Sequence, residues 1–349
     1  MTIFDLVQAP ELVAYWETLT QDRAPYLGEE LFPNNKKRGL DLKWIKGSKG
    51  LPVVLNPSAF DVKAIPRDRI GFDKVSAQMP FFKESLYIDE ELRQELNTVI
   101  ETGNQSYIDS VVNRVFDDEM SLLEGAAAQR ERMRMQVLTT GAIAITANGE
   151  DLQYDYNLPE SHKASVTVSW SDPSADIVED IRKSLDLIED ETGVRPKRGL
   201  CSRKTWNYIM KNDAIKKAIF VLTDGVGVMT DSRLASYLQE TLDIEIVVYT
   251  KRFMDENKQA KAFVPDDLLV LFPEGTLGNT WFGTTPEESD LMSSNAANVS
   301  ITDTGVAVTV IQHADPVNAE TKVTMVCLPS FEAADQVFIL DTLASEMPM

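Results

Sequence analysis

The spacing of hydrophobic and polar positions changes repeatedly along the chain, and each change marks a new kind of element. Residues 1–35 combine a short amphipathic piece, PELVAYWETLT, with the turn-rich GEELFPNN. Pro33 and the Asn34–Asn35 pair forbid regular structure there, so this segment reads as an arm rather than a domain. From Gly39 to about Ile88 the period drops to two, as in LDLKWI and FDKVSAQM, and Gly47, Gly50, Pro52, Pro57, Pro66, Gly71 and Pro80 punctuate it. The pattern predicts a long, irregular two-stranded excursion with its tip near Ile65 to Gly71. A Pro-interrupted hairpin of that length is not stable by itself in water, so it needs a surface to lie on.

Residues 105–137 carry the strongest helical signal, with Ile108, Val111, Val112, Val115, Phe116, Met120, Leu123, Ala126 and Ala127 recurring at three- and four-residue spacing. At 1.5 Å per residue this is a rod of about 50 Å. Its acids (Asp109, Asp117, Asp118, Glu119, Glu124) come first and Arg130, Arg132 and Arg134 come last, which complements the helix dipole at both ends. Ile108, Val111, Val115 and Phe116 are expected to face a sheet of the same chain. Gly125, followed by three alanines, is expected to let another backbone approach closely.

After the rod, QVLTTGAIAITANGEDLQYDYN reads as a hairpin turning at Asn148-Gly149 in a type I′ turn. SDPSADIVEDIRKSLDLIEDETG then predicts a helix capped by Asp172 or Ser174, with Ile177, Ile181, Leu185 and Ile188 on one face and Gly193 as its stop. Strand RGLC, helices SRKTWNYIMKN and TDSRLASYLQETL, and strands IEIVVYT and DLLVLFP follow, which makes an α/β domain over about 174–305 the economical reading. The last stretch, KVTMVCLPSFEAADQVFILDTL, returns to strand character and is expected to rejoin the sheet begun near residue 137.

Charge adds what periodicity cannot. The 349 residues carry a formal net charge of −21, yet residues 36–83 hold 11 Lys and Arg against 4 Asp and Glu, a local +7 that leaves −28 for the rest. So acidic a chain is not built to grip duplex DNA or an anionic membrane, since both require neutralising phosphate. The concentrated positive charge suits a connector that docks on the acidic surface of another copy. A length beyond the usual single-core limit predicts two globular units or one core with large excursions. Cys201 and Cys327 lie in no CxxC or Cys/His cluster and read as buried core residues, and MTIFDLVQAPEL has no signal-peptide pattern. No apolar stretch approaches the ~20 residues needed to cross a bilayer, so a reducing cytoplasm is the expected place of synthesis.

A search for catalytic chemistry returns little. Gly225 and Gly227 in DGVGVMTD make GxG without the third glycine, KGSKG is too short for a phosphate loop, and no GxSxG elbow occurs. His162 and His313 stand apart from any metal-ligand pattern. The adjacent acids Asp266/Asp267 and Glu287/Glu288 read as solvated surface.

Laid end to end, the arm, the basic excursion, the rod, the hairpin, the inserted α/β domain and the returning strand resemble the major capsid proteins of tailed phages, closest to the lambda-type capsid protein E family. GLPVVLNPSAFDVKAIPRDRIGFDKVSAQMPFFKESLYI, RERMRMQVLTTGAIAI, FVPDDLLVLFP and ETKVTMVCLPSFEAADQVFILDTL carry the likeness, in order and over nearly the whole chain. The resemblance implies an α+β fold of the Hong Kong ninety-seven-like kind. Its parts would be an N-terminal arm (1–38), an extended loop (39–88), a peripheral domain with a spine helix (89–173), an axial domain (174–305) and a return to the peripheral domain (306–349). It implies a structural protein without cofactor, assembled in the host cytoplasm as hexamers and pentamers into an icosahedral virion head that encloses double-stranded DNA without specific binding.

The partners implied are other copies, a separate scaffolding protein, a portal protein and a decoration protein, with no membrane. Lys63, Arg67, Arg69 and Lys74 are the expected inter-subunit residues, facing acid on a neighbour. Some relatives cross-link through Lys and Asn, but nothing in the spacing of Lys63 or Lys74 supports it here. An encapsulin-type compartment is the alternative with the same fold. An α/β enzyme acting on nucleotides is the alternative of another class, and it lacks a phosphate loop, a metal cluster and a nucleophile.

Overall fold

The computed structural model describes residues 8–21, 23–46, 73–88, 90–101, 105–220, 227–292, 297–315 and 317–344. They form two compact units. The first takes the described residues up to Leu42, with Ser76–Arg134 and Asn279–Ser330; the second takes Lys43–Val75, Met135–Gly278 and the residues from Phe331 onward.

The first unit opens with helices α1 (Ala9–Gln21) and α2 (Leu27–Leu31) and strand β1 (Asn34–Lys36); contrary to expectation, Asn34 and Asn35 are regular structure, held by parallel pairing with residues 280–282. β2 (Asp41–Lys46) and β3 (Asp73–Gln78) pair as a two-stranded ladder, of which Lys43–Lys46 and Asp73–Val75 are counted with the second unit, and Leu40 accepts from the Met79 amide at 2.8 Å. β4 (Phe81–Ile88), α3 (Glu90–Glu101) and the long α4 (Gln105–Thr140) follow. The unit's sheet has the order β1-β13-β16-β15-β14, where β13 is Gly278–Phe282, β14 Asn298–Thr302, β15 Val306–Ala314 and β16 Val317–Phe331. β4 also pairs with β16, antiparallel, from Phe81 opposite Val326 to Ile88 opposite Ala319.

Side chains alternate along a strand, so β16 divides between two faces. Ala319, Thr321, Val323 and Met325 lie on one, and Glu320, Lys322 and Thr324 on the other. α1 lies over β14 and β15 and buries Leu12, Val13 and Trp16. On α4, Val115, Met120, Leu122, Leu123, Ala126 and Ala127 are buried at helical spacing.

The second unit holds a sheet of order β7-β17-β12-β8-β9, with β7 Lys163–Ser165, β8 Arg198–Cys201, β9 Glu245–Val248, β12 Leu268–Phe272 and β17 Phe338–Asp341. β8 runs parallel to β9, and β12 runs antiparallel to both β8 and β17. β12 reads LLVLF because only its first residue escapes full burial, the pattern of a strand covered on both faces. Helices α5 (Ile177–Thr192), α6 (Arg203–Lys211), α7 (Asp213–Ile219) and α8 (Asp231–Leu242) supply the covering residues. Among the described residues, β5 (Ala142–Ala147) and β6 (Glu150–Asp155) pair only with each other. They turn at Asn148 and Gly149, whose φ values of 52° and 83° are both positive, as a type I′ turn requires. β10 (Arg252–Met254) and β11 (Ala260–Ala262) make a further small hairpin.

Several expectations need correction. α4 continues to Thr140 and stops where Gly141 takes φ 76°; a Cβ there would meet Leu158 Cβ at 2.8 Å, so only glycine serves. Gly125 is exposed, and the one atom near its missing Cβ is Glu84 Oε2 at 4.0 Å, so among the described residues of this chain no backbone packs against it. Asp176, rather than Asp172 or Ser174, caps α5 by accepting from Glu179 N at 3.3 Å; Asp172 instead closes a turn onto Ser174. The C-terminal stretch does not rejoin the hairpin begun after α4. β16 enters the first unit's sheet and β17 the second's. Val115 is buried, but Phe116 is half-buried edge-on to Tyr15 of α1, with centroids 5.5 Å apart, instead of facing the sheet. The side chains of Ile108 and Val111 lie outside the described residues.

Candidate assembly surfaces and the family of the chain

Lys63, Arg67 and Arg69 also lie outside the described residues. Lys74 is on β3, one strand of the ladder that flanks residues 47–72 at both ends. Downstream of the ladder, β4 exposes apolar side chains: Phe81 is 46% and Tyr87 58% exposed, with Lys83 between them on the same strand face. The Tyr87 ring sits 6.2 Å from that of His313 on β15, and His313 Nε2 lies 3.0 Å from Glu320 Oε2 on β16. Burial would raise the Glu320 carboxyl, but the hydrogen bonds of His313, Ser85 and Tyr87 hold it below the usual range. Three strands are thus tied together at a surface that combines exposed apolar rings with charge.

A second cluster fixes the arm to α4. Arg130, 2% exposed, donates from Nη2 to Asp303 Oδ2 at 2.6 Å and lies over the Phe282 ring at 5.8 Å, while Trp16 Nε1 donates to the other Asp303 oxygen at 3.4 Å. One turn later Arg134 is fully buried. Its Nε donates to Thr280 Oγ1 at 2.9 Å, its Nη2 donates to Asn34 Oδ1 at 2.6 Å, and Glu29 and Glu131 stand 3.9 and 3.8 Å from its Nη1. Glu131 accepts the Gly28 amide at 3.2 Å, and a Cβ on Gly28 would collide with the side chains of Glu131 and Arg134. Burial, with Arg130 beside it, pulls the Arg134 guanidinium below its usual range.

On the other face of the sheet, Glu287, in the π-helical turn Glu287–Leu291, is 3% exposed. It takes Lys322 Nζ at 2.8 Å and the Thr324 hydroxyl at 2.9 Å. Burial alone would raise its carboxyl; Lys322, a backbone amide and Thr324 together lower it. Among the described residues no cluster of His, Cys, Asp and Glu could hold a metal ion, and no helix is long and apolar enough to cross a membrane. Cys201 and Cys327 are buried thiols pushed up by burial to about 12 and about 11.

The sequence matches the phage major capsid protein E family over residues 8–341. The chain belongs to that family. A search of the curated proteins finds no match. Among solved structures, a phage-related protein from Bordetella bronchiseptica RB50 is 15% identical, with 98% of this chain and 99% of that one covered at a TM-score of 0.56. The capsid asymmetric unit of cyanophage A-1(L) is 11% identical, with 92% and 93% covered at 0.53. Identities this low show the fold, which is HK97-like.

This capsid protein is a structural component of the virion that assembles into a multimeric shell, and its family is one of phages rather than of encapsulin compartments. Its polar clusters are therefore read as fastenings of a shell subunit rather than as catalytic groups. Sequence reading missed most of them. Glu287, taken as solvated, is buried on Lys322, while its neighbour Glu288 pairs with Lys36 at 2.5 Å. By sequence the arginines at the end of α4 suit the helix dipole, but Arg130 and Arg134 are buried and bonded to Asp303, Thr280 and Asn34. The one available signal was their spacing of four, which places both on the helix stripe continued by Ala126, Ala127, Met133 and Val137.

Proposed function

We propose that this capsid protein forms hexamers and pentamers that close into an icosahedral head around double-stranded DNA. Residues 39–88 act as the extended loop that lies on a neighbouring subunit. In this reading residues 1–38 are the arm, 89–173 and 306–349 the peripheral domain with its spine helix, and 174–305 the axial domain around which capsomers form. Lys63, Arg67, Arg69 and Lys74 face acid on the neighbour. The observation that carries the reading is the β2–β3 ladder, whose strands leave and return side by side around residues 47–72, in a window of net +7 on a chain that is −28 elsewhere. Opposite potentials steer such docking and set its register. The acidic remainder lets packaged DNA slide instead of sticking. A separate scaffolding protein is the expected assembly partner, with a portal at one vertex and a decoration protein as a further candidate partner.

The experiment is electron microscopy of the full chain expressed with and without its scaffolding partner, beside an Arg67→Glu/Arg69→Glu variant. The expected outcome is closed shells from the parent and soluble, folded subunits or aberrant sheets from the variant. Normal shells from the variant would overturn the charge-docking reading.

A further inference from the structure

Among the described residues of α4, Glu119 is buried against the sheet with no cation acting on it. It is 3% exposed, and its neighbours along the same helix stripe are Val115, Leu122 and Leu123. Facing it is Thr321 of β16, 1% exposed, flanked across the ladders by Leu86 of β4 and Val310 of β15. The next strand residues, Glu320 and Lys322, point to the opposite face, where they are engaged by His313 and Glu287. Of the charged groups on the elements packed here, Asp118 precedes Glu119 in α4 and Glu84 of β4 lies on the Thr321 face of the sheet; both are exposed acids, so both oppose a second negative charge. Glu119 Oε2 and Thr321 Oγ1 are both buried, and neither has a well-formed hydrogen-bond partner among the described residues.

A carboxylate in that position has lost its water and gained no counter-charge, whereas a carboxylic acid loses far less and can donate its proton to the threonine oxygen. We propose that Glu119 is a proton-operated fastening between α4 and the sheet: protonated, it seats the helix, and ionised, it loosens it. Burial accordingly pushes the Glu119 carboxyl up to about 7, opposed in part by the Thr321 hydroxyl and reinforced by Asp118. The sign follows from linkage. Below about 4.5 both folded and unfolded chains hold this proton and the stability it contributes is fully present. Between about 4.5 and 7 only the folded chain holds it, so the stability it contributes is lost as pH rises, and above about 7 the loss is complete. The acidic charge elsewhere also responds to pH, so the effect of this one residue is read as a difference between variants. This inference does not depend on how copies contact one another.

The test is denaturant unfolding of full-length soluble subunits from pH 5 to 8, comparing the parent with Glu119→Gln, which keeps the shape and is always neutral. Relative to the variant, the folding equilibrium constant of the parent should fall by roughly a hundredfold across that range. Parallel pH profiles would overturn the proposal. A second readout needs only the parent: the infrared carbonyl band of a protonated, buried carboxylic acid should persist at pH 6 and vanish by pH 8. Absence of that band at pH 6 overturns the proposal even if the variant does not fold.

Discussion

The second unit assembles an apolar core from segments that each announce themselves, whereas the first laces its helix–sheet layer with buried charge. In the second unit Ile181, Leu185 and Ile188 of α5 meet Trp206, Ile209, Leu234, Leu238 and Leu269 in one cluster. Each of its helices opens on a local cap: Asp176, Ser202, Asn212 and Thr230 accept the amides of Glu179, Thr205, Ile215 and Arg233. In the first unit Arg130, Glu131, Arg134, Glu119 and Glu287 are all buried, and the partners of the arginines come from distant parts of the chain. Burial of apolar surface has no direction and tolerates substitution, while buried ions demand specific partners and are costly when one is removed. The first unit therefore draws less on local preference and more on having its arm, α4 and sheet all in place.

The largest expected effect is on that network. Arg134→Met takes the guanidinium away from buried Glu131 and the donor away from Thr280 and Asn34, at a cost of ~3–5 kcal/mol. Adding Glu131→Gln removes the stranded charge and keeps an oxygen for the Gly28 amide, so the double variant should recover at least ~1 kcal/mol of the loss. Denaturant unfolding of the two single variants and the double measures that coupling. Strict additivity would mean that the arginine acts by packing alone and that the contrast between the units is false.

In the second unit Leu185→Ala, at a fully buried position, should cost ~3 kcal/mol through lost burial and a residual cavity. Unlike the arginine variant it should show the same loss at low and high salt and across pH 5 to 8, because no titrating group depends on it. A salt-dependent loss would show that charge reaches the second core as well.

The same contrast explains what could be read from the sequence. The α5 stripe, the Asn148-Gly149 turn and the Gly193 stop, with φ 73°, were legible because the information lies within a turn or two of the chain. The charge network was not, because Arg134 reaches Thr280 and Asn34 at separations of 146 and 100 residues, and Arg130 reaches Asp303 at 173. No local pattern separates such an arginine from one that serves a helix dipole. Glu287 and Glu119 failed for the same reason: a single acid is polar in the sequence wherever it sits, and only the opposing strand reveals Lys322 in one case and no cation in the other. The family itself was legible from several stretches in order, which is independent of any one contact.

The smallest expected effect concerns the turn that holds the anchor of Arg130. Between β14 and β15 the Gly305 amide closes onto Thr302 O at 3.1 Å, and both residues between them have positive φ, 46° at Asp303 and 74° at Thr304. That is type I′ turn geometry, for which Asp-Gly is preferred and a β-branched second residue is an outlier. Asp303 earns its place by binding Arg130 and Trp16, but Thr304 is exposed and, among the described residues, no hydrogen bond of its side chain accompanies the strained conformation. Relief of ~1–2 kcal/mol of left-handed strain by Thr304→Gly is offset by the extra ~0.5–1 kcal/mol of unfolded-chain freedom that glycine brings. The net expectation is a stabilisation of about 0.5 kcal/mol, read as a small rise in the denaturation midpoint at unchanged slope. A drop instead would mean that the threonine itself steadies the turn, and that the first unit's network extends one residue beyond Asp303.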